Sequence, residues 1–258
     1  MDVVICKDYA TMSKAAARVV AEVLNHKPNA VLGFATGSSP IGLYKELIRM
    51  HKEEGLDFSK VTTFNLDEYV GLPADHPQSY RRFMNTNLFN HINLPPQNIH
   101  VPSGTSANHA AFCEWYEKQI RDCGGIDLQV LGIGSDGHVA FNEPGSSLGS
   151  RTRMVTLTEQ TLDDNARFFE KKSDVPRHAI SMGVGTILEA RKLLMVANGK
   201  NKAPALAAAV EGPITSMITA SALQLHPDTI VFTDEDAVGQ LKMRTYYDWI
   251  QKQAKKAD

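Results

Sequence analysis

The 258-residue chain is poor in cysteine, in aromatics and in net charge. Its three cysteines, Cys6, Cys113 and Cys123, are an odd number without a C-x-x-C pair. They encode neither a disulfide framework nor a zinc knuckle, and they point to a reducing, cytoplasmic setting. Twenty-seven Lys and Arg against 29 Asp and Glu leave a formal charge of −2, and no basic run is interleaved with aromatics. The broad positive field that general nucleic-acid binding needs is therefore missing, and any anion must be held locally. No apolar stretch reaches the ~18 residues of a membrane span. The opening MDVVICKDY, charged at Asp2, Lys7 and Asp8, lacks the apolar core of a signal peptide. Gly/Ser or Pro linkers and repeats of fixed period are absent too, and Pro95-Pro96 reads as a local turn. What remains is a 43% hydrophobic chain, long enough to bury roughly 75% of its unfolded surface without disulfide staples.

Short apolar runs alternate with stretches of helical period. Val3 to Cys6 reads as a strand, and Asp8 caps a helix through Leu24 in which Ala16, Val19, Val20 and Val23 recur at helical spacing. Further strands are expected at Ala30 to Ala35, Val61 to Leu66, Asp127 to Ile133, Arg153 to Leu157, Ala179 to Met182, Leu193 to Ala197 and Thr229 to Phe232. Helices are expected at Ile41 to His51, with Pro40 in its first turn, and near Ser79 to His91, Ala107 to Cys123, Glu159 to Glu170, Asn201 to Glu211 and Glu235 to Lys252. Continuous apolar strands between helices imply one doubly wound α/β domain over residues 1–258, a mostly parallel Rossmann-like sheet with helices on both faces. Ligands of such sheets lie beyond the carboxyl ends of strands, so polar residues just after strands carry the interest.

Three such places stand out. Ala35-Thr36-Gly37-Ser38-Ser39-Pro40 brings backbone N–H groups, hydroxyls and a helix start together after a strand, an anion cradle without the lysine or spacing of a Walker loop. A sugar phosphate suits it better than a nucleoside triphosphate, although a plain strand-to-helix turn has the same composition. Gly132-Ile133-Gly134-Ser135-Asp136-Gly137 fits G-x-G-x-x-G, but Pro144 and Gly145 stop the long helix a dinucleotide site requires. The loop reads instead as Asp136, His138 and Glu143 gathered at a strand end, an imidazole between two carboxylates that serves acid/base chemistry. Thr63 to Tyr69 ends another strand, where a partly desolvated carboxylate serves as base towards a carbon-bound proton, or else as a helix cap. Arg167 and Lys202 are candidate cations for phosphate. Trp115 and Ile120 read as core, and Arg151 and Arg153 as flanking Thr152 on one side of a strand. No histidine pair has metal-ligand spacing, so no metal is expected.

These segments, together with Asn65 to Leu72, Gly134 to Pro144, Ser150-Arg151-Thr152-Arg153 and Ser221 to Pro227, resemble the glucosamine-6-phosphate deaminase family over nearly the whole chain. The resemblance implies conversion of glucosamine 6-phosphate and water to fructose 6-phosphate and ammonia without metal or organic cofactor. It implies Asp67 as the base that moves a proton between C2 and C1. It implies His138 as the ring-opening group with Asp136 and Glu143 as partners, and a phosphate site of Thr36, Gly37, Ser38 and Ser39 closed by Arg167 and Lys202. Arg153 to Met182 would be a lid. Some members are hexamers activated by N-acetylglucosamine 6-phosphate; their effector residues match Ser146, Ser147 and Arg153, but Val155 stands where they have lysine. Losing that cation removes a bond worth about 1.5 to 3 kcal/mol, which counts against activation. The long segment after Asp234 resembles the oligomeric members, so a homo-oligomer is expected. A 6-phosphogluconolactonase would lack a use for Asp67. A sugar-phosphate repressor would need a helix-turn-helix ahead of Val3.

Overall fold

The computed structural model describes residues 1–257, with side chains through Gln253; Asp258, the last residue of the expected domain, lies outside the described residues. In chain order the elements are β1 (Asp2–Cys6), α1 (Tyr9–His26), β2 (Val31–Phe34), α2 (Ile41–Glu54), β3 (Thr62–Asn65), β4 (Asp67–Tyr69), α3 (Tyr80–Asn87), β5 (Ile99–His100) and α4 (His109–Asp122). There follow β6 (Leu128–Leu131), β7 (Arg153–Thr156), α5 (Glu159–Ala166), β8 (His178–Ser181), α6 (Val184–Leu188), β9 (Leu193–Ala197), α7 (Ala203–Glu211), β10 (Thr229–Asp234) and α8 (Arg244–Ala257). Seven strands form one sheet in the order β1-β10-β9-β6-β2-β3-β5, and each neighbouring pair is parallel.

Every residue of β2, β6 and β9 is buried, which is why these strands read as unbroken apolar runs. Alternation of side chains across the pleat then feeds two cores. Leu32, Phe34, Leu128, Val130, Leu194 and Val196 pack with Met12, Ala16 and Val20 of α1 and Leu43 and Leu47 of α2. Val31, Leu131, Met195 and Val231 pack with Tyr116 and Ile120 of α4, Val184 and Ile187 of α6 and Leu206 of α7. The expected doubly wound sheet is thus present. From β2 the chain builds outward to β3 and β5, and then returns to place β6 on the other side of β2. The order reverses between β2 and β6, and both glycine-containing loops leave the sheet at that switch point.

A second, three-stranded antiparallel sheet, β4-β8-β7, was not legible in the sequence. The expected strand Val61 to Leu66 turns at Leu66 and restarts as β4, whose Asp67 pairs with Ser181 of β8. The expected last helix, from Glu235, starts only at Arg244, because the Glu211 carboxylate at the end of α7 accepts the N–H groups of Lys242 and Met243 at 2.8 Å and fixes the helix start there. Helix α5 ends at Ala166 rather than Glu170, and Phe169 beyond it packs edge-on against Tyr69. Ile120 is core as expected, whereas Trp115 is exposed and lies against Phe112 and His100. Arg151 and Arg153 take different partners: Arg151 pairs with Glu117 and Glu189, and Arg153 donates to Asn142 Oδ1 at 2.9 Å. Among the described residues no helix is long and apolar enough to cross a membrane.

Candidate active site

Four neighbouring strands deliver the candidate residues to one edge of the sheet. Thr36 to Ser39 follow β2, Asp67 follows β3, Asp136 to Glu143 follow β6, and Lys202 follows β9; Arg167 arrives from the end of α5. In the first loop Gly37 has φ 98°, a left-handed conformation that glycine adopts without strain. The N–H groups of Gly37, Ser38 and Ser39 donate to no group among the described residues. Tyr9 of α1 braces the loop, its hydroxyl lying 3.2 and 3.1 Å from the Ser38 and Ser39 carbonyls and accepting from Gly42 N–H at 2.7 Å. Open amides at the start of a 14-residue helix make the cradle competent for an anion.

One glycine of the second loop serves an imidazole. A Cβ on Gly134 would lie 2.5 Å from the His138 ring, so glycine at 134 makes room for that ring. Turns run from Gly134 to Ser150 with no helix after β6, as Pro144 and Gly145 imply. His138 Nδ1 lies 2.8 Å from Asp136 Oδ1 and 3.5 Å from Glu143 Oε2, charge-pair contacts in which neither oxygen is aligned on the ring N–H. Asp136 also accepts the His138 backbone N–H at 3.1 Å, and Glu143 accepts Thr158 N–H at 3.2 Å. Burial opposes a charge on the ring, but Asp136 and then Glu143 outweigh it and push the His138 pKa up to about 9. Burial likewise disfavours both carboxylates, and the imidazolium holds each below its usual range. Ligand atoms of the three lie within 4.8 Å of one another, so the same trio has the reach of a metal-donor set.

Asp67 is 6% exposed, and its Oδ1 has no hydrogen-bond partner among the described residues. Burial first, then the like charge of Glu68, raises its pKa to about 7 against a smaller opposing pull from His138. The small sheet fixes this carboxylate to the histidine loop. Ser181, opposite Asp67, accepts Phe141 N–H at 3.0 Å, and Asn142 donates to Met182 O at 2.8 Å. A carboxyl group poised near neutrality therefore sits within the field of a protonated histidine.

Lys202 is half-buried, and burial lowers its pKa; Arg167 adds to that effect while Asp164 and Asp136 oppose it. These four charges share one neighbourhood, which is where a phosphate closing on the first loop needs cations. Arg167 itself is exposed, its guanidinium 4.7 Å from the Phe168 ring centroid. The remaining candidates follow or touch the histidine loop. Ser147 is exposed at a turn whose Ser147 Oγ accepts Gly149 N–H, Ser146 N–H is bound by Glu143 O, and Arg153 is half-buried on Asn142.

Residues 8–232 match the family described as glucosamine-6-phosphate isomerases/6-phosphogluconolactonase. The chain belongs to this family. It is 52% identical over 242 residues to a glucosamine-6-phosphate deaminase of Clostridium perfringens, covering 94% of this chain and all of that one. A glucosamine-6-phosphate deaminase of Shewanella halifaxensis is 49% identical over 256 residues, 99% of this chain and 97% of its own. A solved monomeric glucosamine-6-phosphate deaminase superposes with a TM-score of 0.92 at 45% identity, covering 93% of this chain and 100% of that one. A 6-phosphogluconolactonase of Thermotoga maritima, at 22% identity and TM-score 0.72 over 91% of this chain and 99% of its own, shares the fold.

Several contributors were invisible to sequence reasoning because they join the site only through the fold. The Tyr80 hydroxyl lies 3.4 Å from the Tyr69 hydroxyl, and its ring stacks on Phe141. Ser135 donates to Asp164 of α5 at 2.6 Å, tying the histidine loop to the helix that carries Arg167. No local pattern marks Tyr9 or Tyr80. For Ser135 the signal was present, a hydroxyl inside the glycine loop, but its partner is 29 residues away.

Proposed function

We propose that the chain converts glucosamine 6-phosphate and water to fructose 6-phosphate and ammonia, in amino sugar catabolism in the cytoplasm. The observation that carries this reading over the lactonases of the same fold is Asp67, a buried carboxylate with a pKa near 7 facing the histidine loop. Hydrolysis of a lactone needs no base for a carbon-bound proton, whereas isomerisation of an amino aldose does. Near-50% identity to deaminases over almost the full chain supports the same choice.

The amides of Gly37, Ser38 and Ser39 with Thr36 take the phosphate, and Arg167 and Lys202 neutralise it. Binding energy from that remote group positions C1 and C2. His138, charged and steadied by Asp136 and Glu143, handles the proton at the ring oxygen as the pyranose opens. Asp67 then removes the C2 proton, made acidic by the protonated amine, and returns it to C1. Residues 153–182, comprising β7, α5 and β8, act as the lid that brings Arg167 in. Ser146, Ser147 and Arg153 form at most a weakened effector site, since Val155 supplies no cation, and the chain assembles as a homo-oligomer.

Ammonia release coupled to fructose 6-phosphate formation tests the reading, with EDTA present and N-acetylglucosamine 6-phosphate added or omitted. Turnover in EDTA supports a metal-free deaminase; turnover lost in EDTA and restored by a divalent ion would instead assign the His138 trio to a metal. No turnover, with 6-phosphogluconolactone hydrolysed, would replace the reading by the lactonase. Sedimentation at the mass of one chain would remove the oligomer.

A further inference from the structure

We propose that Glu68 is the positioning residue of the base: its carboxylate clamps the strand that carries Asp67 to the start of α3 and thereby fixes where Asp67 points. The inference rests on reading Asp67 as the base. Glu68 is 2% exposed, and its Oε1 accepts the N–H groups of Tyr69 and Tyr80, each at 2.9 Å, while Oε2 accepts Arg81 N–H at 2.9 Å. Two of those donors are the first amides of α3, which a helix leaves without partners. Helix α3 already has its own local cap, Ser79, whose side chain accepts Arg82 N–H at 3.1 Å. A second cap drawn from a residue 12 positions upstream does more than end a helix.

The chain geometry says what the extra contact does. Neighbouring side chains on a strand point to opposite faces. With Glu68 held on the α3 side, Asp67 is turned the other way, and its pairing with Ser181 fixes the strand from the remaining edge. Among the described residues no Lys or Arg side chain pairs with Glu68; the Arg81 guanidinium lies instead 3.5 Å from Ile99 O. Burial raises the Glu68 pKa, and the amides of Tyr80, Arg81 and Tyr69 oppose that rise by favouring the charged form, which bears on Asp67 with no cation between them. The other groups whose charge or hydroxyl bears on the pair are His138 from the β6 loop, Tyr44 of α2, Tyr69 of β4, Tyr80 and Arg81 of α3, and Tyr116 of α4. Only Glu68 adds a second negative charge.

The test compares Glu68→Gln, Glu68→Asp and Asp67→Asn in the intact chain, by steady-state kinetics with glucosamine 6-phosphate, by solvent exchange of the C2 proton and by thermal melting. In Glu68→Gln the amide nitrogen faces Arg81 N–H, so one of the three bonds is lost together with the charge. We expect kcat to fall on the order of 10- to 100-fold with KM changed by less than about threefold, because the phosphate anchor is remote. We also expect the acid limb of the kcat/KM profile to move down by about one pH unit as the like charge disappears. Glu68→Asp keeps the charge and loses reach, so its acid limb stays in place while kcat falls. A lowered melting temperature with kcat and the acid limb unchanged in both variants would make Glu68 a structural cap and overturn the proposal. Should Glu68→Gln fail to fold, Glu68→Asp decides through its kcat alone. C2 exchange surviving in Asp67→Asn would overturn the base reading itself, and the clamp's role with it, whatever the Glu68 variants do.

Discussion

Replacing Asp67 by Asn should destroy activity and yet stabilise the protein, increasingly so as pH rises. The folded-state pKa of Asp67 is about 7 against an ordinary 3.8, because burial and the Glu68 charge both resist ionisation. In the folded chain the carboxyl keeps its proton until about pH 7, whereas in the unfolded chain it gives it up near pH 4. Between those values the native state binds more protons than the unfolded state, so stability falls as pH rises. The full gap corresponds to about 4 kcal/mol once pH exceeds 7. Asn is neutral at every pH and removes this cost, while its buried amide adds an offset that does not depend on pH. The readout is therefore the slope: urea denaturation of both proteins from pH 5 to 8 should show the stability difference moving in favour of Asn by roughly 2 to 3 kcal/mol. A difference that stays constant across that range, or shrinks, would refute the argument that Asp67 is held buried and part-protonated. C2 proton exchange on the same samples should be abolished while inorganic phosphate binding persists.

Gly134→Ala should lower kcat by about tenfold or more with little change in phosphate affinity, since its Cβ would displace the His138 ring; unchanged kinetics would remove that glycine's assigned role. His138→Gln should lose more activity on the cyclic substrate than on an open-chain analogue, and equal losses would argue against ring opening. In the wild type kcat/KM should be bell-shaped with limbs near pH 7 and 9, from Asp67 and His138; a profile flat from pH 6 to 10 would dissociate these groups from the reaction. Asp164→Asn, which weakens the link from α5 to Ser135, should raise KM several-fold, and the Ser135→Ala change should add nothing further to it.

The sheet and the candidate residues at its edge were legible because both are local. Strands β2, β6 and β9 are buried on both faces, so their composition alone marks them, and the polar loops after them follow from where strands end. Asp8 was legible as a cap because the bond it makes, to Thr11 N–H at 2.7 Å, spans three residues. What escaped is long-range. The three residues of β4 are too few to show a period, and they exist as a strand only because β8, more than 100 residues later, offers an antiparallel partner. The Thr63 to Tyr69 segment leaves open, as sequence, whether its acids cap a helix or serve as a base. The fold gives the cap to Glu68, which binds the amides of a helix that begins at Tyr80, and leaves Asp67, facing the histidine loop, as the carboxyl group to which the base reading applies. Only the fold separates the two carboxyl groups.

The site then works by pushing two pKa values in the same direction for opposite reasons. Burial keeps the proton on Asp67, and paired carboxylates keep it on His138. The first shift costs stability progressively as pH rises from about 4, and in full above pH 7. The second supplies it, fully below the ordinary histidine value of 6.5 and until pH rises through about 9. Between about pH 7 and 9 the Asp67 carboxylate is ionised while the imidazole is still charged, the combination that the proposed proton removal at carbon and proton delivery at the ring oxygen require. Neither group reaches that state alone. The carboxylates of Asp136 and Glu143 hold the charge on His138, and that charge in turn keeps Asp67 from rising beyond the range where a base is useful. Neutralising His138 should therefore raise the Asp67 limb as well as erase the basic one, which makes the two arms of the profile a single coupled property of the loop and the strand.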